Sequence, residues 1–176
     1  MRGLTPSLTV GPFFAPCLCF ERGPDMRGDG AEGIEIVLRG TLLDGEGKPV
    51  DDGLIEIWQA DARGGNAGFR GFGRCGTDAR GMFAFSTIKP GRVPGPGGVK
   101  QAPHLSVAVF ARGLLERLTT RCYFGDEESN AKDPILSLVA PDRRETLIAS
   151  PGPQGSRSYQ FDIVLRGAGE TVFFEW

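Results

Sequence analysis

The sequence predicts an all-β protein, an antiparallel β-sandwich of the prealbumin or immunoglobulin type with long loops. Apolar and polar residues alternate with a period of two along most of the 176 residues, as in strands with one buried face. Glycine (27 residues) and proline (13 residues) interrupt the chain so often that long helices are disfavoured. Because parallel strands need long, usually helical, crossover connections, we expect the strands to be antiparallel.

About seven to nine short strands are expected, each bounded by turn residues. Residues 34–38 alternate clearly, and the turn at 44–47 separates them from a second apolar run at 54–58. The other predicted strands are residues 82–88, 105–110, 117–124, 158–166 and 170–176.

Three segments depart from this pattern. Residues 1–33 are rich in proline and glycine and are expected to form an irregular N-terminal arm that packs on its own domain or on a partner subunit. Residues 126–132 are the one plausible helix, with acidic residues at the start and Pro134 beyond the end, so that at most one or two short helices are expected. Residues 92–103 form a long loop of a kind that is often functional. The whole chain, 1–176, is expected to be one domain.

Composition excludes several classes of protein. The chain has 20 basic and 22 acidic residues and a net charge of −2, whereas nucleic-acid-binding domains usually carry a basic excess. No run of 18 apolar residues predicts a membrane span. The first residues lack the apolar core of a signal peptide, so a cytoplasmic location is expected. Cys17, Cys19, Cys75 and Cys122 are expected to be reduced and mostly buried thiols.

The chemistry of the residues alone predicts no assembled active site. Residues 71–76 match the pattern G-x-G-x-x-G, but a turn and a strand follow them instead of the helix that would receive a phosphate. We therefore interpret them as a glycine-rich β-loop. Nucleophilic catalysis needs a base beside the nucleophile, and His104 is the only histidine. A zinc site would need nearly every cysteine and histidine of the chain.

An ordered set of segments resembles the intradiol ring-cleavage dioxygenases and covers nearly the whole chain. The amino-terminal segment, the Trp58-Gln59-Ala60 segment and the carboxy-terminal segments are together specific for this family. The matching segments are residues 5–14, 53–61, 85–91, 102–113, 123–127, 143–149 and 169–174.

The resemblance implies a family whose catalytic chain holds Fe(III) with two tyrosinates and two histidines. Two of these ligands form H-x-H on one strand, where alternate residues share a face. This chain keeps His104 but has Ser106 at the second position, and the tyrosine positions fall at Val93 and near Asn66. With one ligand of four, the resemblance implies no metal and no catalytic residue on this chain. His104 is then expected to be a structural residue near a degenerate pocket.

The closest likeness is to the non-iron-binding alpha subunit of a two-chain member of the family. It implies a homologous, iron-bearing beta subunit as partner, in a hetero-oligomer that cleaves 3,4-dihydroxybenzoate with O₂ to 3-carboxy-cis,cis-muconate. It also implies that this chain completes the partner's substrate-binding pocket. The implied pocket residues are Thr9, Gly11, Pro12, Phe13 and Arg112.

Two alternatives stay open at this point. The chain could be a binding or structural β-sandwich module that shares only the fold, since fold does not determine function. It could also be a homo-oligomeric intradiol enzyme, although the missing ligands argue against this. For Arg112 the alternative is a solvated charge at a strand end, and for the arm it is a terminus that packs on its own domain.

Overall fold

Nine strands form one mixed sheet that curls into a nearly closed barrel, in a computed structural model that describes residues 5–11, 13–28, 31–66 and 68–175. The order across the sheet is β3-β2-β5-β6-β7-β8-β1-β4, and β9 pairs with β1 beside this path. The strands are β1 (Glu35–Leu43), β2 (Leu54–Trp58), β3 (Phe72–Gly76), β4 (Met82–Ile88), β5 (His104–Phe110), β6 (Leu118–Phe124), β7 (Ile148–Pro151), β8 (Ser158–Gln160) and β9 (Ile163–Val164).

The prediction of an antiparallel sandwich is wrong, although the all-β class is confirmed. Three strand pairs, β1–β8, β1–β9 and β6–β7, are parallel. The crossover from β6 to β7, residues 125–147, contains three short 3-10 helices at Glu128–Lys132, Leu136–Leu138 and Pro141–Leu147. It has the length that a parallel connection requires. Because 3-10 turns lack the apolar period of an α-helix, the sequence pattern did not reveal it.

Helices also differ from the prediction. The helix expected at residues 126–132 is the 3-10 helix Glu128–Lys132. A five-residue α-helix, α1 (Phe14–Leu18), lies inside the segment predicted to be an irregular arm. A fourth 3-10 helix, Pro96–Gly98, lies in the long loop before β5. No helix of the described residues is long and apolar enough to cross a membrane.

Two strands were missed and one was wrongly predicted. β3, interpreted as a loop, pairs along its whole length with β2, and β7 was not foreseen. Residues 170–175 form no strand. They attach to the sheet by isolated hydrogen bonds, among them Phe174 N to Thr119 O (2.8 Å) and Thr171 N to Val164 O (2.9 Å).

The gap between β3 and β4, the two ends of the strand path, is bridged by residues 23–26. Arg74 N of β3 donates to Gly23 O (2.9 Å). On the β4 side, Ser86 N donates to Pro24 O (2.9 Å) and Met26 N donates to Ser86 O (2.8 Å). The Met26 side chain is buried with the main core. This part of the arm therefore belongs to the barrel wall of its own chain.

The core has a main cluster inside the barrel and a smaller one outside it. The main cluster includes fully buried side chains such as Ile57, Phe85 and Leu105. The smaller cluster lies under the β6–β7 crossover, where Leu136 and Leu147 pack with the ring of Tyr123. Both faces of β6 are consequently covered, although its alternating sequence predicts one solvated face.

Candidate functional site

The residues singled out in the sequence lie at the two ends of β5. His104 and Ser106 are at its start, and Arg112 follows its end. At about 3.3 Å per residue, roughly 25 Å of chain separates the two places. We call the first the remnant pocket, comprising His104, Ser106 and their neighbours Trp58, Arg121 and Tyr123, and the second the arm end.

In the remnant pocket, His104 and Ser106 share one face of β5 because alternate strand residues point the same way. The register pairs His104 with Tyr123 and Ser106 with Arg121 on the antiparallel strand β6. On the other side of β5, Ser106 is paired with Trp58 of β2, a residue that is 57% exposed. Directly opposed side chains lie on the same face, so these five residues lie together on one face of the sheet.

A buried polar network forms the floor of this pocket. Arg121, which is 9% exposed, donates from Nη1 to Oε1 of Gln101 (2.6 Å) and to Oη of Tyr123 (3.3 Å). Tyr123 Oη in turn donates to Oδ1 of Asp133 (3.0 Å), and the other carboxylate oxygen accepts the backbone N–H of Ala102 (2.7 Å). Burial raises the pKa of the Tyr123 phenol well above its usual range, so the group is a neutral donor.

His104 is held in one tautomer. Its Nδ1 lies 2.8 Å from the carbonyl oxygen of Ala102, which can only accept, so Nδ1 carries the proton. Burial lowers the pKa of His104, the bond to Ala102 opposes this, and the positive charge of Arg121 lowers the pKa further. The imidazole is therefore neutral at pH 7.

The residues present do not fit a ferric ion. Val93 offers an apolar side chain, and its carbonyl oxygen accepts the N–H of Gln101 (2.9 Å). Asn66 is exposed in the β2–β3 connection. Ser106 brings a neutral hydroxyl where the family has an imidazole, and Tyr123 is a protonated hydrogen-bond donor. Within the part of the chain that the structure describes, no three His, Cys, Asp or Glu side chains come together as metal ligands do.

At the arm end, the N-terminal arm lies against the loop that follows β5. Gly113 N donates to Oγ1 of Thr9 (2.7 Å), and the rings of Phe14 and Phe110 are 5.4 Å apart. Gly113 has φ of 88°, a left-handed conformation that favours glycine and directs its N–H towards the arm. A cavity of about 210 Å³ lies between the arm and this loop, lined mainly by Leu8, Val10, Phe14, Leu114 and Leu115.

Thr9 therefore lies close to Arg112, because the N–H that bonds to Thr9 belongs to Gly113, the residue that follows Arg112. Arg112 is 71% exposed in its side chain, and its Nε donates to Oδ2 of Asp52, just before β2. Gly11 is exposed and its carbonyl oxygen accepts Phe14 N (3.1 Å) at the start of α1. Phe13 is 76% exposed. Pro12 lies outside the described residues.

Sequence analysis missed Gln101, Arg121 and Asp133. Arg121 lies in the predicted strand 117–124 and was given no role there. The sequence pattern held no signal for this network, because Asp133 lies in the β6–β7 crossover, which was not predicted.

Gln59, the second residue of the Trp58-Gln59 motif, has a structural role. Gln59, which is buried, donates from Nε2 to the carbonyl oxygen of Ile88 (2.9 Å), and its Oε1 accepts the hydroxyl of Thr87 (2.7 Å). These bonds join the end of β2 to the end of β4 and help to close that end of the barrel.

Comparisons with known proteins extend along nearly the whole chain. The Dioxygenase family model matches residues 10–167. The protocatechuate 3,4-dioxygenase alpha chains of Burkholderia cepacia and Pseudomonas putida are 40% and 43% identical to this chain, and the alignments cover 97% and 98% of it and 96% of each relative. The protocatechuate 3,4-dioxygenase beta chain of Burkholderia cepacia is 36% identical over 79% of this chain and 67% of the relative.

A similar fold is found among solved structures. The dioxygenase domain of a dioxygenase–carbohydrate-binding protein fusion from Streptomyces sp. SirexAA-E superposes with a TM-score of 0.66 at 26% identity. The superposition covers 93% of this chain and 99% of that domain.

Proposed function

The chain belongs to the intradiol dioxygenase family, as its resemblance indicated, and from this membership we propose that it is the alpha subunit of a protocatechuate 3,4-dioxygenase. The assignment depends on the similarity to alpha chains, which extends along nearly the whole of this chain and of each relative. The alignment with a beta chain covers a smaller share of both sequences. The complex cleaves 3,4-dihydroxybenzoate between its hydroxyl-bearing carbons, using O₂, to give 3-carboxy-cis,cis-muconate.

The iron of this enzyme belongs to a homologous beta subunit, and none belongs to this chain. Support comes from the donor set of the remnant pocket, where one imidazole, one hydroxyl and a guanidinium face each other. The existence of both alpha and beta relatives supports a hetero-oligomer of alpha–beta units. The isolated chain is accordingly inactive.

In the complex, Thr9, Gly11, Pro12, Phe13 and Arg112 of this chain complete the partner's substrate-binding pocket. The bond from Gly113 to Thr9 places the arm beside Arg112, and both Phe13 and Arg112 are exposed. The substrate is an anion, and a guanidinium binds a carboxylate or adds positive potential at a pocket mouth. The exposed ion pair with Asp52 stabilises Arg112 little, so Arg112 is available to a substrate.

The arm end also has the character of a subunit interface. Leu8, Phe13 and Leu115 are exposed large apolar side chains of the arm and of the loop that it contacts. Exposed apolar side chains are typical of protein–protein contacts when they form a patch, and we propose the beta subunit as the occupant here. We place the complex in the cytoplasm, since all four cysteines are free thiols.

Co-expression tests the proposal. This chain and a homologous chain that has both tyrosines and the H-x-H motif are expected to co-purify and to cleave protocatechuate, whereas this chain alone self-associates and is inactive. A chain that stays monomeric, and that leaves the activity of every such partner unchanged, would contradict the assignment.

A further inference from the structure

The remnant pocket contains a cation of its own, the guanidinium of Arg121. We propose that Arg121 actively excludes metal ions from this pocket, so that the loss of ligand side chains alone does not account for the metal-free state. The inference rests on the proposed function only in treating this pocket as the counterpart of the partner's iron site. It concerns this chain's own residues and is testable without the partner.

The register of β5 and β6 puts the guanidinium next to the space that an H-x-H pair would use. A second imidazole at position 106 would lie directly opposite Arg121, with Cβ atoms about 5 Å apart. The side chain of Arg121 also leans towards His104, because its Nη1 contacts the hydroxyl of Tyr123, whose ring is 5.5 Å from the imidazole. An ion bound between positions 104 and 106 would therefore meet a fixed positive charge, and like charges repel.

The guanidinium is held in this place by partners that are themselves anchored. Gln101, which accepts from Arg121 at 2.6 Å, donates from Nε2 to Pro94 O (2.8 Å), and its backbone N–H donates to Val93 O (2.9 Å). Tyr123 is tied to buried Asp133. Arg121 consequently cannot swing into solvent without breaking buried hydrogen bonds, and the restored ligand alone would not displace it.

The position of Val93 strengthens this interpretation. Val93 stands where the family has a metal-binding tyrosine, and its carbonyl oxygen now supports the residue that holds Arg121. In the catalytic chain this loop would supply a metal ligand. In this chain it holds Gln101, the residue that accepts a hydrogen bond from the Arg121 guanidinium.

Metal titration of the full chain tests the proposal, with Co²⁺ as the probe. Four forms are compared, namely the unchanged chain, Ser106→His, Arg121→Gln and the double variant Ser106→His/Arg121→Gln. Binding is measured by the visible absorption of bound Co²⁺ and by cobalt per chain after free metal is removed. We expect about one Co²⁺ per chain in the double variant, bound at least tenfold more tightly than by Ser106→His, and no stoichiometric binding by the other two forms.

A matched variant separates charge from shape. Ser106→His/Arg121→Lys keeps the positive charge and is expected to bind Co²⁺ no better than Ser106→His alone. Ser106→His/Arg121→Met removes the charge and puts an apolar side chain of similar length in its place. It is used instead of the glutamine double variant if circular dichroism shows that the latter is unfolded. It is expected to bind Co²⁺.

Two results would overturn the proposal. One is Co²⁺ binding by Ser106→His that is as tight as that of the folded double variant, and the other is a folded, charge-free double variant that binds no better than Ser106→His. Absence of any beta partner would instead overturn the proposed function, and it would leave these titrations unchanged because they use this chain alone.

Discussion

The backbone N–H of Gly113 donates a hydrogen bond to the hydroxyl of Thr9 at 2.7 Å, joining two residues that are 104 positions apart. Through this bond the N-terminal arm is attached to the loop that carries Arg112. The arm and the arginine therefore form one structural unit at the end of β5, and changes in either one test whether that unit serves a partner's active site.

Thr9→Val removes the hydroxyl while keeping the shape of the side chain. The loss of one hydrogen bond is expected to weaken the attachment of the arm by about 1 kcal/mol and to raise the KM of the complex for protocatechuate. Amide exchange at Gly113, followed by NMR or mass spectrometry, measures the release directly. Thr9→Ser keeps the acceptor and is the control; if both variants exchange at the same rate, the bond does not hold the arm.

Arg112→Ala is expected to raise the KM for protocatechuate roughly tenfold to a hundredfold, corresponding to a lost charged contact of about 1.5–3 kcal/mol. Iron content and subunit pairing stay unchanged, and cleavage of uncharged catechol is affected much less. Asp52→Asn, which breaks the ion pair but keeps the arginine, is expected to change KM less than about twofold. Wild-type kinetics of Arg112→Ala at low salt would show that Arg112 is a surface charge only.

Thr87→Val leaves the buried Oε1 of Gln59 without its donor. An unsatisfied buried polar atom costs about 1–3 kcal/mol, so the free energy of unfolding, measured by urea denaturation, is expected to fall by that amount. Thr41→Val, at a half-buried side chain of β1, is the comparison and should fall less. Equal losses would show that the Gln59–Thr87 bond contributes nothing specific.

The stability of the chain is expected to fall as the pH drops below about 6.5, the ordinary pKa of histidine. Because the folded-state pKa of His104 lies below its value in the unfolded chain, the unfolded chain binds a proton first, and acid favours unfolding. Urea denaturation between about pH 5 and 7 measures this slope. His104→Asn, whose amide can still donate to Ala102, should flatten it; an unchanged slope would mean that other groups cause the dependence.

The sequence pattern predicted the positions of most strands but not the direction in which neighbouring strands pair. Residues such as Ile36, Phe85 and Ile57 lie in the predicted strands and are buried. The mixed topology escaped prediction because a crossover built from 3-10 turns has no apolar period, and the glycine-rich β3 has too few side chains to show a strand pattern. Resemblance to a family singled out the arm and Arg112, and their part in a partner's pocket stays a prediction.

The remnant pocket was only half predictable. The resemblance implies four ligand positions, and the sequence has other residues at three of them, namely Val93, Ser106 and the region of Asn66. What occupies the pocket could not be predicted, because Arg121, Gln101 and Asp133 come from β6, a loop and the crossover, and only the folded chain brings them into contact.

The central claim is that this chain is the metal-free half of an iron enzyme, and iron analysis of the purified chain and of the purified complex tests it most directly. The account predicts about one iron per alpha–beta pair in the complex, with visible tyrosinate-to-iron absorption, and no stoichiometric iron in this chain alone. About one iron per isolated chain, together with that absorption, would contradict it.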